Sequence, residues 1–149
     1  MVVSNRWILP DGVVDVLPAQ AQLLETIRGR MLKLFGTWGY DLVIPPMLEF
    51  TDSLHSAAGE DLELLTFRTV DPLSGQTMGV RPDITPQIAR IDAHTLRNQG
   101  PSRLCYVGTV LHTRARDALS SRTPISIGLE LFGESHLSAD IEVIRLFLK

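Results

Sequence analysis

The sequence predicts an α+β fold in which an antiparallel sheet is flanked by helices. Helix signals occur in three segments: an apolar stripe over residues 18–38, a Thr-Pro start at residues 85–86, and a second apolar stripe near the end. Two pairs of strand-like segments are joined by loops rather than by helices, which favours hairpins. The order helix, strand, hairpin, helix, hairpin, helix is typical of neighbouring strands that pair beneath helices.

Composition limits the classes of function. The 149 residues are 44% hydrophobic and 21% charged, which is typical of one soluble globular domain. A net charge of -3 argues against a protein that binds nucleic acid or anionic membranes non-specifically. Cys105 is the single cysteine, so no intrachain disulfide can form and a reducing compartment is expected. Because neither a membrane-spanning run nor a signal-like apolar region is evident, the sequence predicts a cytoplasmic protein.

The first helix is predicted over residues 18–38. Pro18 suits the first turn, and Gly39 lies where a glycine commonly ends a helix. The apolar residues that share one face of this helix are Leu24, Ile27, Met31, Leu34, Phe35 and Trp38. The segment "YDLVIPP" then predicts a short strand that is stopped by Pro45 and Pro46.

The remaining elements follow from turn and cap signals. The segment "EFTDSLHSAAG" could hold a helical turn or two, and "LLTFRTVDPLSGQTMGVR" predicts a hairpin. Thr85 is a candidate N-cap of the second helix, Pro86 suits its first position, and Gly100 closes it. The segments "RLCYVGTVLHT" and "PISIGLELFG" predict two longer strands joined by the loop of residues 111–123, and Ser138 is a candidate cap of the final helix.

Arg81, Asp83 and Thr85 fall at a predicted strand end and helix start, where a binding site could form. Free backbone N–H groups there favour anions, whereas Asp83 and Thr85 could accept hydrogen bonds from an ammonium group. The structural alternative is that Thr85 caps the helix and Asp83 complements its dipole. Spacing alone favours this alternative, because such caps are commonplace.

The loop of residues 111–123 carries His112 and three arginines, Arg114, Arg116 and Arg122. Guanidinium groups match phosphate and carboxylate, so the loop could clamp an anion. The alternative, which the irregular spacing favours, is a solvated hairpin tip whose charges keep a sheet edge soluble.

Glu130 lies in an otherwise apolar strand and shares a strand face with Ser126, Gly128 and Phe132. A carboxylate on a sheet face beside a glycine could meet a cationic ligand group, and simple solvent exposure is an equally good interpretation. The four histidines show no zinc-ligand spacing, and no phosphate-binding or nucleophile motif is present. We therefore expect neither a metal nor a cofactor, and Cys105 is expected to be a buried, inert thiol.

Several of these segments together resemble the class II aminoacyl-tRNA synthetases in their histidyl form. Residues 11–50 are similar to motif 1, a long helix that feeds a strand ending in proline and that builds the dimer interface in those enzymes. "VRPDIT" is similar to an Arg-Pro-Glu-Gly-Thr segment that helps to hold the α-amino group of histidine. Residues 106–133 align without a gap to motif 2. The resemblance implies that residues 1–149 form the N-terminal part of a class II synthetase-like core domain.

Motif 2 is also where the sequence departs from the synthetases. Their loop opens with Phe-Arg-x-Glu, in which the arginine contacts the α-phosphate of ATP and the glutamate receives the adenine amino group. The corresponding residues here are Leu111, His112, Thr113 and Arg114. The substitutions remove the guanidinium fork and reverse a charge, so the resemblance implies that adenylation is lost. Asp83, Thr85 and Glu130 match the histidine half of the pocket, whereas Ser126 replaces a glutamine there.

A retained histidine half and a lost ATP half together resemble the family of ATP phosphoribosyltransferase regulatory subunits. The segments "RPDITPQIARIDAH" and "LCYVGTVLHTR" are close to the sequences of that family. The resemblance implies a non-catalytic subunit that assembles with the short catalytic subunit, in the first step of histidine biosynthesis and its feedback regulation by histidine. It implies a homodimer within a hetero-oligomer, with no nucleic-acid or membrane partner. Histidine would be held by Arg81, Asp83, Thr85 and Glu130, and the loop arginines would contact an anion or a partner. The alternatives are a fragment of an active histidyl-tRNA synthetase and an interaction module without a ligand.

Overall fold

The computed structural model describes residues 7–55, 60–115, 117 and 120–149. The helices are α1 Pro18–Thr37, α2 Thr51–His55, α3 Glu60–Leu65, α4 Thr85–Arg90, a π-helix Ile91–Leu96 that continues α4, and α5 Leu137–Phe147. The strands are β1 Asp41–Leu42, β2 Leu48–Phe50, β3 Phe67–Val70, β4 Thr77–Val80, β5 Ser102–Thr109 and β6 Ile125–Phe132. Within these ranges no helix is both long and apolar enough to cross a membrane.

The main sheet has the strand order β1-β5-β6. Strands β5 and β6 form the predicted antiparallel hairpin, in which Ser102 pairs with Phe132 and Thr109 pairs with Ile125. The predicted α+β class is confirmed, with one difference, since β1 runs parallel to β5. About sixty residues separate these two strands along the chain, which is enough for the crossover that a parallel pair needs.

A second sheet has the order β2-β4-β3, and both of its pairs are antiparallel. The hairpin β3–β4 was predicted, but strand β2 and helix α3 were not. Strand β2 has only three residues, too few for an alternating pattern to appear. Leu64 and Leu65, which were assigned to the hairpin, belong to α3 instead.

Strand β5 separates two apolar clusters because its side chains alternate between the two faces of the main sheet. On the face covered by α4, the buried cluster consists of Ile84, Ile88, Leu104, Tyr106 and Val110. On the face covered by α1 and α5, it consists of Phe35, Tyr40, Cys105 and Leu146. Burial raises the pKa of the Cys105 thiol, which agrees with the prediction of an unreactive group.

The start of helix α4 differs from the prediction. Thr85 is the first helical residue rather than the N-cap, and Ile84 occupies the cap position without a side-chain hydrogen bond. Asp83 Oδ1 accepts the backbone N–H groups of Ile84, at 2.6 Å, and of Thr85, at 3.3 Å. Ser138 is likewise not a cap, because α5 begins at Leu137 after His136. The Thr85 hydroxyl is therefore available for tertiary contacts.

Candidate functional site

The candidate site lies on the α4 face of the main sheet. Strand pairing places Tyr106 directly opposite Gly128, and Leu104 directly opposite Glu130. The predicted sharing of one strand face by Ser126, Gly128 and Glu130 agrees with this register, because opposite residues in an antiparallel pair lie on the same face. The first turn of α4 passes over this face and brings Thr85 to it.

Thr85, Tyr106 and Glu130 form the centre of the site. Thr85 Oγ1 lies 3.1 Å from Tyr106 Oη and 3.1 Å from Glu130 Oε1. The phenol of Tyr106 is buried, and Glu130 is half-buried. A hydroxyl and a carboxylate thus converge on one region of the sheet, where they could receive a group that donates hydrogen bonds.

Burial dominates the electrostatics of the site. It raises the pKa of Glu130, the charge of Asp83 raises that pKa further, and the hydrogen bond from Thr85 lowers it. The pKa of Tyr106 is also raised, mainly by burial, so the phenol keeps its proton near neutral pH. Asp83 and Glu130 are therefore close enough to influence each other, and a bound cation would relieve their repulsion.

Arg81 lies behind the site rather than open to it. Its guanidinium donates to the carbonyl oxygen of Pro45 at 2.8 Å and to that of Thr109 at 3.1 Å. Gly108 leaves the space that the guanidinium fills, since a Cβ there would overlap with it. Only 6% of Arg81 is exposed, and burial lowers its pKa. These bonds fasten the turn between β4 and α4 onto the end of β5 and onto the β1–β2 connection.

The base of the loop of residues 111–123 is fixed by backbone and ring contacts. His112 is buried, and its Nε2 lies 2.9 Å from the carbonyl oxygen of Pro82. Thr113 donates through its N–H to Leu65 and through its hydroxyl to the Leu64 carbonyl. Arg114 is exposed further along the loop. Arg116, the third predicted arginine, lies outside the residues that the structure describes.

Arg122 ties this loop to the segment that precedes α1. Its backbone N–H donates to Gly12 at 2.7 Å, and its guanidinium donates to the carbonyls of Asp11 and His112 at 3.2 and 3.0 Å. The guanidinium also lies 5.2 Å from the centre of the Phe67 ring. These contacts give Arg122 a structural part in the loop.

Two features that support the site were not predicted. Tyr106 was treated only as part of an apolar strand, although a tyrosine opposite Gly128 could have indicated a hydroxyl over a sheet face. Glu49 is a buried carboxylate that pairs with Arg90 and accepts from Gln87 Nε2 at 2.9 Å. This network joins β2 to α4 and holds the helix against the sheet. It brings together residues 38 or more positions apart, which no local pattern reveals.

Two of the cavities flank the main sheet near the site, one beside the centre of the site and one on the opposite face. One of about 380 Å³ is lined by His112, Ser120, Ser121, Pro124, Ile125 and Ser126. A larger one, of about 560 Å³, lies between α1, β6 and α5 and is mostly apolar. Its position makes it a packing surface on the far side of the sheet rather than the site of the polar chemistry. Among the described residues no group of three or more potential metal ligands occurs.

Sequence comparison relates nearly the whole chain to one family. The family model described as histidyl-tRNA synthetase matches residues 12–149. A protein of Stutzerimonas stutzeri named ATP phosphoribosyltransferase regulatory subunit is 58% identical over 149 residues. A protein of the same name from Cellvibrio japonicus is 51% identical over 149 residues. Each alignment includes 100% of this chain but only 38% of the relative, so the chain spans well under half of the relatives' length.

Solved structures show the same similarity. The chain superposes with a TM-score of 0.84 and 30% identity on an ATP phosphoribosyltransferase regulatory subunit/histidyl-tRNA synthetase from Bacillus halodurans C, over 99% of this chain and 38% of that one. It superposes with a TM-score of 0.77 and 22% identity on apo histidyl-tRNA synthetase of S. aureus, over 95% of this chain and 33% of that one. The second similarity concerns the fold alone.

Proposed function

Because the chain belongs to the histidyl-tRNA synthetase family, we propose that it is part of a regulatory subunit of ATP phosphoribosyltransferase. The observation that carries this proposal is the 58% and 51% identity, along the whole chain, to proteins of that name. Residues 1–149 would form the N-terminal part of a class II synthetase-like core domain. The whole subunit would act in the cytoplasm, in the first step of histidine biosynthesis.

The geometry around His112 supports a role without adenylation chemistry. Compared with motif 2 of the synthetases, His112 replaces the arginine that would contact the α-phosphate of ATP. His112 is 6% exposed and its ring is hydrogen-bonded to the Pro82 carbonyl, so it offers no guanidinium fork to a nucleotide. Arg114, in place of the acid that would receive adenine, has a donor-only side chain. The subunit would therefore have no catalytic residues of its own.

Asp83, Thr85 and Glu130 suit a sensor for histidine. Carboxylate and hydroxyl oxygens can accept hydrogen bonds from the ammonium and imidazole groups of that amino acid. Arg81 would support them from behind, and Arg114, Arg116 and Arg122 remain candidates for contacts with an anion or the partner. Histidine would regulate the catalytic subunit by binding two states of the complex with different affinity.

A homodimer would form through α1. Leu24 and Ile27 are 36% and 44% exposed on the predicted apolar stripe of this helix. Met31 and Leu34 instead pack against the cluster around Phe35. The outer part of the stripe is therefore available to a second copy, whereas its inner part belongs to the core of the subunit.

Two assays on the full-length protein test the proposed function. We expect no histidine-dependent exchange of pyrophosphate into ATP, because the adenylating residues are replaced. We expect co-purification with a short-form catalytic subunit and a rate of ATP phosphoribosyltransferase that depends on both chains. An active histidyl-tRNA synthetase serves as the positive control for exchange. Clear exchange activity would contradict the proposal. A catalytic subunit whose reaction rate is the same with and without this protein would contradict it too.

A further inference from the structure

Three side chains of the candidate site form a chain of hydrogen bonds with a fixed direction. Thr85 Oγ1 contacts both Tyr106 Oη and Glu130 Oε1 at 3.1 Å. An ionised carboxylate cannot donate, so Thr85 must donate to Glu130. Thr85 has one hydroxyl proton, so Tyr106 must donate the other bond. The chain therefore runs from Tyr106 through Thr85 to Glu130.

This direction leaves the site with acceptors for a ligand. The protons of both hydroxyls are used within the chain, while Glu130 Oε2 and the lone pairs of Thr85 can still accept. We infer that Tyr106 is a positioning residue, which acts through Thr85 to make the site select ligands that carry a hydrogen-bond-donating ammonium group. This inference rests on the proposed function, because it requires that a ligand binds at this site.

The position of Tyr106 is fixed independently of any ligand. The residue is 6% exposed within the cluster of Ile84, Ile88 and Leu104. Gly128 lies opposite on β6, and a Cβ there would overlap with the Tyr106 hydroxyl and its ring edge. The glycine thus provides the space in which the phenol lies, and core packing prevents the ring from turning away from Thr85.

The same chain influences the charge of Glu130. The groups that interact with Glu130 are Asp83 from the start of α4, Thr85 on α4, Tyr106 on β5 and Tyr40 before β1, on whose own pKa Glu130 has the weakest effect. Donation from Thr85 lowers the pKa of Glu130, against the effects of burial and of Asp83. Without the phenol, Thr85 is a weaker and less directed donor, so the pKa of Glu130 should rise. As the pH falls, Glu130 would then be protonated at a higher pH than in the wild-type protein, and ammonium binding would be lost at that higher pH.

The test is calorimetry on the full-length protein with histidine and with imidazolepropionate, which lacks the amino group. We expect wild-type protein to prefer histidine, and Tyr106→Phe to reduce that preference about tenfold, the effect of one directed hydrogen bond. The lower pH limit of histidine binding should move upward. Tyr106→Phe combined with Thr85→Val should cost no more than Thr85→Val alone, because Tyr106 acts through Thr85.

Tyr40→Phe is the matched control. Tyr40 is also a buried tyrosine, and its hydroxyl donates to Glu142 at 3.1 Å on the opposite face of the sheet. This variant should keep the wild-type preference and pH limit. An unchanged preference in Tyr106→Phe or in Thr85→Val, or additive losses in the double variant, would overturn the inference and leave the proposed function standing. Absence of histidine binding by wild-type protein would overturn the proposed histidine site and this inference together.

Discussion

Glu130 is a residue whose charge does not favour the folded state. Burial and Asp83 raise its pKa, so the folded protein holds the proton to a higher pH than the unfolded chain does. The ionised side chain therefore lowers stability above the folded pKa, and stability is gained as the pH falls through that value. A carboxylate in such an environment is typical of a binding position, where activity opposes stability.

Glu130→Gln should raise the free energy of unfolding near pH 7 and lower the affinity for histidine. The amide keeps an oxygen that can accept from Thr85 but carries no charge to desolvate. Urea unfolding at about pH 7 and about pH 5 measures the effect, and the gain should shrink at the lower pH. Glu25→Gln, at an exposed position of α1, is the control and should change little. A variant less stable than wild type at neutral pH would contradict the prediction.

The position of Thr85 could be predicted from the sequence, but the contacts of its hydroxyl could not. The Thr-Pro pair correctly marked a helix start, and the alternating pattern correctly placed Glu130 on a strand face. The sequence also suggested that Thr85 was a helix cap. Its hydroxyl instead bonds Tyr106 and Glu130, 21 and 45 positions away, because Asp83 already accepts the first free N–H groups. Local sequence preferences cannot predict which distant residues a side chain will contact in the folded protein.

At the scale of elements, a polar cluster joins helix α5 to the main sheet. Arg103 Nε and Nη2 each donate to Glu142 at 2.8 Å, and Tyr40 donates to the same carboxylate. Burial and the Glu142 charge raise the pKa of Tyr40 to about 12, whereas Arg103 lowers the pKa of Glu142. The cluster links α5, β5 and Tyr40, the residue that precedes β1.

Glu142→Ala should reduce the free energy of unfolding by about 1 kcal/mol, since it removes a two-pronged pair that is only partly screened by solvent. Because the pKa of Glu142 is lowered in the fold, this contribution is present at neutral pH and is lost as the pH falls through the folded value. Denaturant unfolding over a pH series measures it. Glu25→Ala, which breaks the exposed pair with Arg28, should cost less than about 0.5 kcal/mol. Equal losses in the two variants would contradict the prediction.

The elements differ in how well the sequence predicted them. Helix α1 was predicted almost to the residue because a long stripe and Gly39, at a φ of +80°, mark its course and end. Strand β1 was recognised, but its parallel pairing with β5 depends on a contact far along the chain. Strand β2 has three residues, and its partner β4 determines it more than its own composition does.

At the scale of the whole molecule, the segment before α1 is fastened to the loop of residues 111–123. Gly12 has a φ of +74°, and its carbonyl accepts the Arg122 N–H at 2.7 Å. A Cβ on Gly12 would lie 3.0 Å from two carbons of the Arg122 side chain. Residues about 110 positions apart therefore restrain each other, and Arg122 is held by a distant part of the chain.

Gly12→Ala should loosen this loop. The substitution adds backbone strain of about 1 kcal/mol and crowds Arg122, so the amides of His112 and Arg122 should exchange with deuterium faster. Gly75→Ala is a close control, because Gly75 has a φ of +73° but no atom within 4 Å of an added Cβ. Both variants carry the strain, and only the first should change exchange in the loop. If the amides of His112 and Arg122 were protected from exchange as well in Gly12→Ala as in Gly75→Ala, the restraint of the loop by Gly12 would be refuted.

The alternation of side chains along β5 makes the candidate site a check on correct folding. If β5 slipped by one residue against its neighbours, Cys105 would take the place of Tyr106, and every side chain of the strand would turn to the other face. A thiol would then lie beside Thr85 in place of the phenol, and the phenol would lie in the core on the opposite face. The candidate site and the apolar core thus depend on the same strand register, so a chain that forms the proposed binding site must also have paired β5 and β6 correctly.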